Sequence, residues 1–261
     1  MSLFNKIKNR IYRLWLALGF HKNIPTDSQN ILYIINNYPN KHYTPERIVR
    51  LKYLIRLNFP NIRIKSIHFT ELEKLNLQNS IGIILSGSSF NVSDFSHNQG
   101  LKKKFEREIN LIRNGYTKPI LGICFGHQLT AYAFNGEVRR MDYKPVSNNV
   151  VKIDLKSSDF IIPYKNVLVN LNHSDYVPPE DGKLQKQFII SATHLVENYE
   201  TVQYMLHKQK PIFSVQFHPE NHISNFHYPT FISDKTIDKA KVAGEKIITN
   251  FVSLCLRNFR V

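Results

Sequence analysis

An α/β fold is predicted for this chain of 261 residues: a mostly parallel open sheet with helices on both faces, and a mixed or antiparallel C-terminal extension. Three observations predict it. Short, very apolar runs at Ile31–Asn36, Ile81–Leu85 and Pro119–Ile123 read as buried strands. Helix-spaced segments with start and stop signals lie between them, as a parallel sheet covered on both sides requires. Beyond Gly136 the pattern changes to strand-like runs with few helices between them.

In chain order, Ile31 to Asn36 is the first strand. Thr44-Pro45-Glu46 opens a helix, with Thr44 at the N-cap and Pro45 at the first helical position. Ile48, Leu51, Leu54 and Ile55 recur along it at helical spacing. Ile62 to Phe69 is a second strand and Ile81 to Leu85 a third, running into Ser86-Gly-Ser-Ser89. Residues 101–114 form a polar-faced helix closed by Asn114-Gly115. After the central strand, Leu129 to Phe134 has helical spacing and stops at Asn135-Gly136. Val150–Leu155, Val167–Leu171, Phe188–Ala192, Val202–Leu206 and Ile212–Phe217 are the later strands, and Thr236 to Arg257 is the last helix.

Composition narrows the function classes. The net charge is +15, but Lys and Arg are spread along the chain rather than gathered on one element. Diffuse charge favours nonspecific association with polyanions, so no specific nucleic-acid partner is expected. Two distant cysteines, Cys124 and Cys255, suit a reducing, cytoplasmic setting better than a disulfide framework. Cys255 reads as packing on the last helix. Residues 1–23 form a basic amphipathic candidate helix, and residues 1–29 are set apart from a main domain at 30–261. Its Arg13 interrupts the apolar centre that a secretory signal needs. The segment is a candidate for packing on the chain's own surface, or for docking a partner or a membrane surface.

The stretch Pro119-Ile-Leu-Gly-Ile-Cys-Phe-Gly-His-Gln128 places Cys124 at a strand-to-helix turn between Gly122 and Gly126. This is the thiol counterpart of the nucleophile elbow. Small flanking residues allow a sharp turn that lifts the side chain clear of the sheet. The following helix aims free N–H groups at the sulfur, and the N–H of Phe125 lies where an oxyanion would form. A buried core cysteine fits the same spacing. A cysteine nucleophile needs a base, and the strand Pro211 to Phe217 runs straight into His218-Pro219-Glu220. His218 at that strand end suits the base, with Glu220 holding its ring in one tautomer.

Taken together, Pro119–Gln128 and Ser214-Val-Gln-Phe-His-Pro-Glu220 resemble the class I (triad-type) glutamine amidotransferases, in order and at a fitting separation. The resemblance covers about residues 30–255 and implies a flavodoxin-like sheet. It implies Cys124 as nucleophile, His218 as general base and acid, and Glu220 as the orienting carboxylate. Gln128 matches a position that helps hold the glutamine substrate. Ser86-Gly-Ser-Ser-Phe-Asn-Val92 matches the loop carrying the second oxyanion N–H, so Ser88 joins Phe125 in that role and Gly87 lies at the substrate. Many members have Gly-Gly-Pro in this loop, and a positive φ at Ser88 would strain it. Asn172-His173-Ser174-Asp175 resembles the loop at the substrate's amino-acid end, with Asp175 placed to meet the ammonium.

The implied reaction is hydrolysis of a side-chain amide through a glutamyl thioester. With no phosphate loop, no dinucleotide fingerprint and no residue after 261, the expectation is a stand-alone glutaminase-type subunit. It resembles most the glutaminase part of GMP synthase and would pass ammonia to a separate synthetase. A hydrolase of small γ-glutamyl compounds is the alternative, toward which the Gly87-Ser88 loop tilts. A binding or regulatory protein on the same fold is the third. No cofactor is expected. No H-E-x-x-H or paired-cysteine spacing suggests a metal site.

Overall fold

The computed structural model describes residues 30–42, 44–143, 145–221 and 225–257. The N-terminal amphipathic segment lies outside the described residues. Seven strands form one sheet in the order β2-β1-β3-β4-β11-β10-β9. They are β1 (Ile31–Asn36), β2 (Arg63–His68), β3 (Ser80–Leu85), β4 (Ile120–Ile123), β9 (Phe188–Val196), β10 (Tyr199–His207) and β11 (Ile212–Val215). The pairs β1–β2, β1–β3, β3–β4 and β4–β11 are parallel. The pairs β10–β11 and β9–β10 are antiparallel. Both expected forms of the C-terminal extension occur. Strands β9 to β11 continue the sheet, while β6 (Asn149–Asp154) and β7 (Asn166–Leu171) form a separate antiparallel pair. A two-residue antiparallel pair, β5 (Arg139–Arg140) and β8 (Asp175–Tyr176), forms a third small sheet.

Helices cover both faces, as a sheet buried on both sides demands. Alternate residues of β1 divide between two cores: Leu32 and Ile34 enter one, and Ile31, Tyr33 and Ile35 the other. The first core is closed by α1 (Glu46–Asn58), by α5 (Asp234–Arg257) and by the β6–β7 pair. The second is closed by α2 (Gln99–Asn110) and α3 (Phe125–Ala133), with Leu184 of the short α4 (Gly182–Gln187). Phe105 of α2 stacks on Phe69 and touches Phe95 and Phe125, which fixes the helix over the end of the sheet.

Most element ends differ from expectation by one to four residues, and two of the differences have a local physical reason. Pro45, with φ −59° and ψ 147°, is itself the N-cap of α1, and no side chain caps that end. The helix therefore starts one residue late, because the Pro45 carbonyl already accepts from Ile48 and Val49. The helix expected over 101–114 is α-helical only to Asn110 and finishes as a π turn over Leu111–Gly115. At the end of α3, Asn135 takes the left-handed conformation (φ 63°), a position that Asn tolerates.

Cys255 is a core residue whose sulfur fills the space beside Gly82 on β3, and burial pushes its thiol well up. The same helix backs the segment after β11. A Cβ on Gly244 would stand 2.2 Å from the carbonyl oxygen of Pro219. Gly244→Ala is expected to lose stability by about 1–3 kcal/mol in urea unfolding, because backbone must move. A gain of about 1 kcal/mol, the helix-propensity effect alone, would show that no such approach exists.

Candidate active site

Three adjacent parallel strands, β3, β4 and β11, end at the same edge of the sheet, where open α/β sheets place their ligands. Cys124 follows β4 with φ 53° and ψ −100°, a conformation that costs a non-glycine residue about 1–3 kcal/mol. Its N–H is held by the Val215 carbonyl of β11 at 2.8 Å. The flanking glycines are compelled by close approach rather than by their own φ. A Cβ on Gly122 would lie 2.6 Å from the Gly126 carbonyl oxygen, and one on Gly126 would lie 2.5 Å from that of Leu85. The elbow expected from the sequence is present, and α3 begins at Phe125 directly after it.

His218 is carried three residues beyond β11, and its N–H bonds the Asn170 carbonyl of β7 at 2.9 Å. Its Nδ1 lies 2.8 Å from Glu220 Oε1, with both side chains almost fully buried. Burial and the Arg47 guanidinium lower the His218 pKa, while Cys124, which also hydrogen-bonds the ring, and Glu220 raise it; the net shift is upward. For Glu220, burial raises the pKa but the His218 imidazole and Arg47 outweigh it, so the carboxylate is held below its usual range. Cys124, His218 and Glu220 are thus brought together as expected.

Arg47 was not found by sequence reasoning. Its Nη1 contacts both ring nitrogens of His218. The available signal was a cation in the first turn of α1, the end where the helix dipole favours anions. Behind it, Arg50 bonds Asn221 at 2.8 Å and pairs with Glu46. Tyr38, close enough to sense Arg47, Glu220 and Cys124, is pushed up to about 12 by burial.

The loop after β3 lies against this pair. A Cβ on Gly87 would stand 3.1 Å from His218 Cε1 and 3.8 Å from Cys124 Cβ. Ser88 is absent from the residues with positive φ, so the Gly-Ser version of the loop carries no left-handed strain. Beside Cys124 a cavity of about 390 Å³ is lined by Ser88, Phe125, Gln128, Asn172, His173, Ser174 and Asp175, all expected site residues. Gly87 stands outside that lining, against the imidazole.

Several of these side chains are already committed. Gln128 donates to the Asp175 carbonyl at 2.9 Å and to Gln216 Oε1 at 3.2 Å, leaving its oxygen to offer a ligand. His173 bonds the Asp175 carbonyl through Nδ1 at 2.9 Å, and burial lowers its pKa to about 4, so it is neutral at pH 7. The Asn172 carbonyl lies 3.9 Å from Cys124 Sγ. The Asp175 carboxylate accepts from the Ser93 N–H and hydroxyl at 2.8 and 2.9 Å and from Arg140 at 3.1 Å. Arg140 also pairs with Asp94 at 3.0 Å, so two carboxylates share one guanidinium and the cluster keeps one net negative charge. Ser93, Asp94 and Arg140 were not legible beforehand, since the 3-10 turn Val92–Ser96 and strand β5 lie far apart in the chain. Among the described residues, no group of three His, Cys, Asp or Glu could hold a metal ion.

Known proteins share this arrangement of strands. The glutamine-hydrolyzing GMP synthase of Clostridium novyi is 33% identical over 151 residues, 58% of this chain and 26% of the relative. A glutamine-hydrolyzing GMP synthase subunit of Methanocaldococcus jannaschii is 35% identical over 137 residues, 52% of this chain and 60% of the relative. The chain thus spans between about a quarter and three-fifths of these two relatives. Among solved structures, a putative GMP synthase subunit from Thermoplasma acidophilum shares the fold at TM-score 0.59 and 22% identity, covering 88% of this chain and 96% of that one. A glutamine amidotransferase from Thermotoga maritima does so at TM-score 0.59 and 17% identity, covering 89% and 98%. The sequence pattern of the family Glutamine amidotransferase class-I matches residues 35–238, and this chain belongs to that family.

Proposed function

We propose that the chain hydrolyses the side-chain amide of glutamine through a Cys124–His218–Glu220 triad and passes the ammonia to a separate synthetase. The observation that carries this reading is the His218–Glu220 pair of 2.8 Å, delivered to the same sheet edge as the strained Cys124. Family membership and the likeness to GMP synthase subunits support it.

In this reading Glu220 Oε1 accepts the Nδ1 hydrogen of His218, leaving Nε2 to take the Cys124 proton. The sulfur attacks the amide carbon, and the charge on oxygen falls to the N–H groups of Ser88 and Phe125. His218 returns its proton to the amide nitrogen as the C–N bond breaks, so ammonia leaves and a thioester remains. Water then attacks the thioester, gives a proton to His218, and glutamate departs as the thiol is restored. The substrate's ammonium sits on the net negative Asp94–Arg140–Asp175 cluster.

A second reading, hydrolysis of larger γ-glutamyl compounds, is favoured by a neighbouring cavity. It has about 530 Å³ and shares Ser89 and Asn172 with the first, so a leaving group larger than ammonia has room.

Three measurements test these statements. Offered glutamine and a panel of γ-glutamyl amides, the protein releases ammonia from glutamine, and Cys124→Ser reduces this at least about a thousandfold. Faster turnover of the larger amides moves the assignment to the second reading, and an unchanged rate in Cys124→Ser removes both. Asp175→Asn takes away the charge facing the ammonium and raises KM for glutamine about tenfold, with a smaller change in kcat. By NMR titration of the imidazole, Glu220→Gln lowers the His218 pKa and Arg47→Met raises it, since the first removes an anion and the second a cation. Shifts of the opposite sign would remove Glu220 and Arg47 from the electrostatics of the site.

A further inference from the structure

The loop that approaches Cys124 from β3 is held from below by the end of β1, where the Ile35 carbonyl accepts from the Ser86 N–H at 3.1 Å and Asn37 makes the remaining bonds. Asn37, fully buried just after β1, donates its N–H to Ser86 Oγ at 3.0 Å and its amide to the Ser86 carbonyl at 3.3 Å. Its own carbonyl accepts from Ser88 Oγ at 2.6 Å, and Ser88 Oγ in turn accepts from the Phe90 N–H at 2.9 Å. Three hydrogen bonds from one asparagine therefore set the path of residues 86 to 90. The Asn37 amide also donates to Glu108 Oε1 at 3.0 Å. Glu108 sits on α2, 71 residues away in sequence and completely buried.

We propose that Glu108 is a positioning residue for the reaction, acting through Asn37 on the Ser86–Ser89 loop that receives the oxyanion. It rests on the hydrolysis proposed above. Charge and hydrogen-bond accounting favour a particular form of the side chain. Glu108 Oε2 and Asn37 Oδ1 are both buried acceptors without a partner. Two orphan oxygens on one pair of side chains need one proton between them. Placed on Oε2, it gives the pair the donor it lacks and spares a buried negative charge. Burial pushes this carboxyl up to about 8 against the lowering effect of the Asn37 hydrogen bond. The ionisable groups on the elements packed around α2 are Glu71, Glu73 and Lys74, Asp94, Arg113, His127 and Tyr132, with Lys102, Lys103, Lys104, Glu106 and Arg107 on α2 itself. The Glu108 shift is set by burial and by Asn37. At pH 7 the neutral acid can therefore hold the Asn37 amide flat in one orientation. With Asn37 fixed, the two serine hydroxyls are fixed too, and the Ser88 N–H keeps its aim.

Glutamine matches a neutral glutamic acid in shape and offers one acceptor and one donor; methionine fills the space and offers neither. The test compares Glu108→Gln and Glu108→Met with the unaltered protein in glutaminase assays across pH, and in amide hydrogen exchange. Glu108→Met is expected to lose about tenfold in kcat with KM within about twofold, the signature of an interaction used in the transition state. Glu108→Gln is expected to restore kcat, and to lack the fall in kcat expected of the unaltered protein as Glu108 ionises with rising pH. Exchange at residues 86–90 quickens in Glu108→Met and not in Glu108→Gln, while β9 and β10 stay as protected as before. Unaltered kcat in Glu108→Met overturns the proposal, as does exchange that quickens over the whole sheet. Should the unaltered protein turn over no γ-glutamyl amide, the hydrolysis reading fails. Exchange at 86–90 then decides the positioning by itself, and equal rates in Glu108→Met and the unaltered protein overturn it.

Discussion

The structure depends on one close backbone approach. Gly126, at the start of α3, lies so near the Leu85 carbonyl that no side chain fits between them. That contact seats the helix against the end of β3 and forces the chain at Cys124 into a strained turn. Packing of this density supplies what the strain costs, because the strands on either side of β4 are parallel to it and cannot follow a relaxed elbow. Parallel pairing matters for chemistry as well as stability. It makes β3, β4 and β11 finish together, so a loop, a sulfur and an imidazole meet at one rim although they lie far apart in the chain.

Electrostatics at that rim follow from burial. An imidazole and a carboxylate taken out of water would each lose charge if alone. Paired at 2.8 Å, the two stabilise each other's ionised form, and the histidine shifts upward while the carboxylate shifts downward. Arg47 pulls the histidine the other way, so the resting ring is a compromise between one cation and two partners that favour its protonation. Across the cavity, Asp175 is kept buried by Ser93 and Arg140. An imidazole–carboxylate pair thus stands on one side of Cys124 and a carboxylate held by a guanidinium on the other.

Much of this was legible in the sequence because the informative residues are consecutive. The elbow occupies ten neighbouring positions, and the histidine and carboxylate follow one strand within a few residues. The runs of β1, β3 and β4 were legible because each is buried on both faces and so almost wholly apolar. What escaped was assembled through space. Asn37, Glu108, Arg47 and Arg140 belong to four different parts of the chain, and each looks like an ordinary polar residue in its own neighbourhood. The start of α1 departs by one residue from the sequence expectation because local capping rules compete with the restricted geometry of proline.

The last helix has a role that its position in the chain conceals. Gly244 of α5 rests on the backbone of Pro219, which separates the imidazole from its carboxylate. The outer side of this helix carries Val242, two-thirds exposed. The outer face of α5 is thus separated from the backbone between His218 and Glu220 by the thickness of one helix, with no side chain between Gly244 and Pro219.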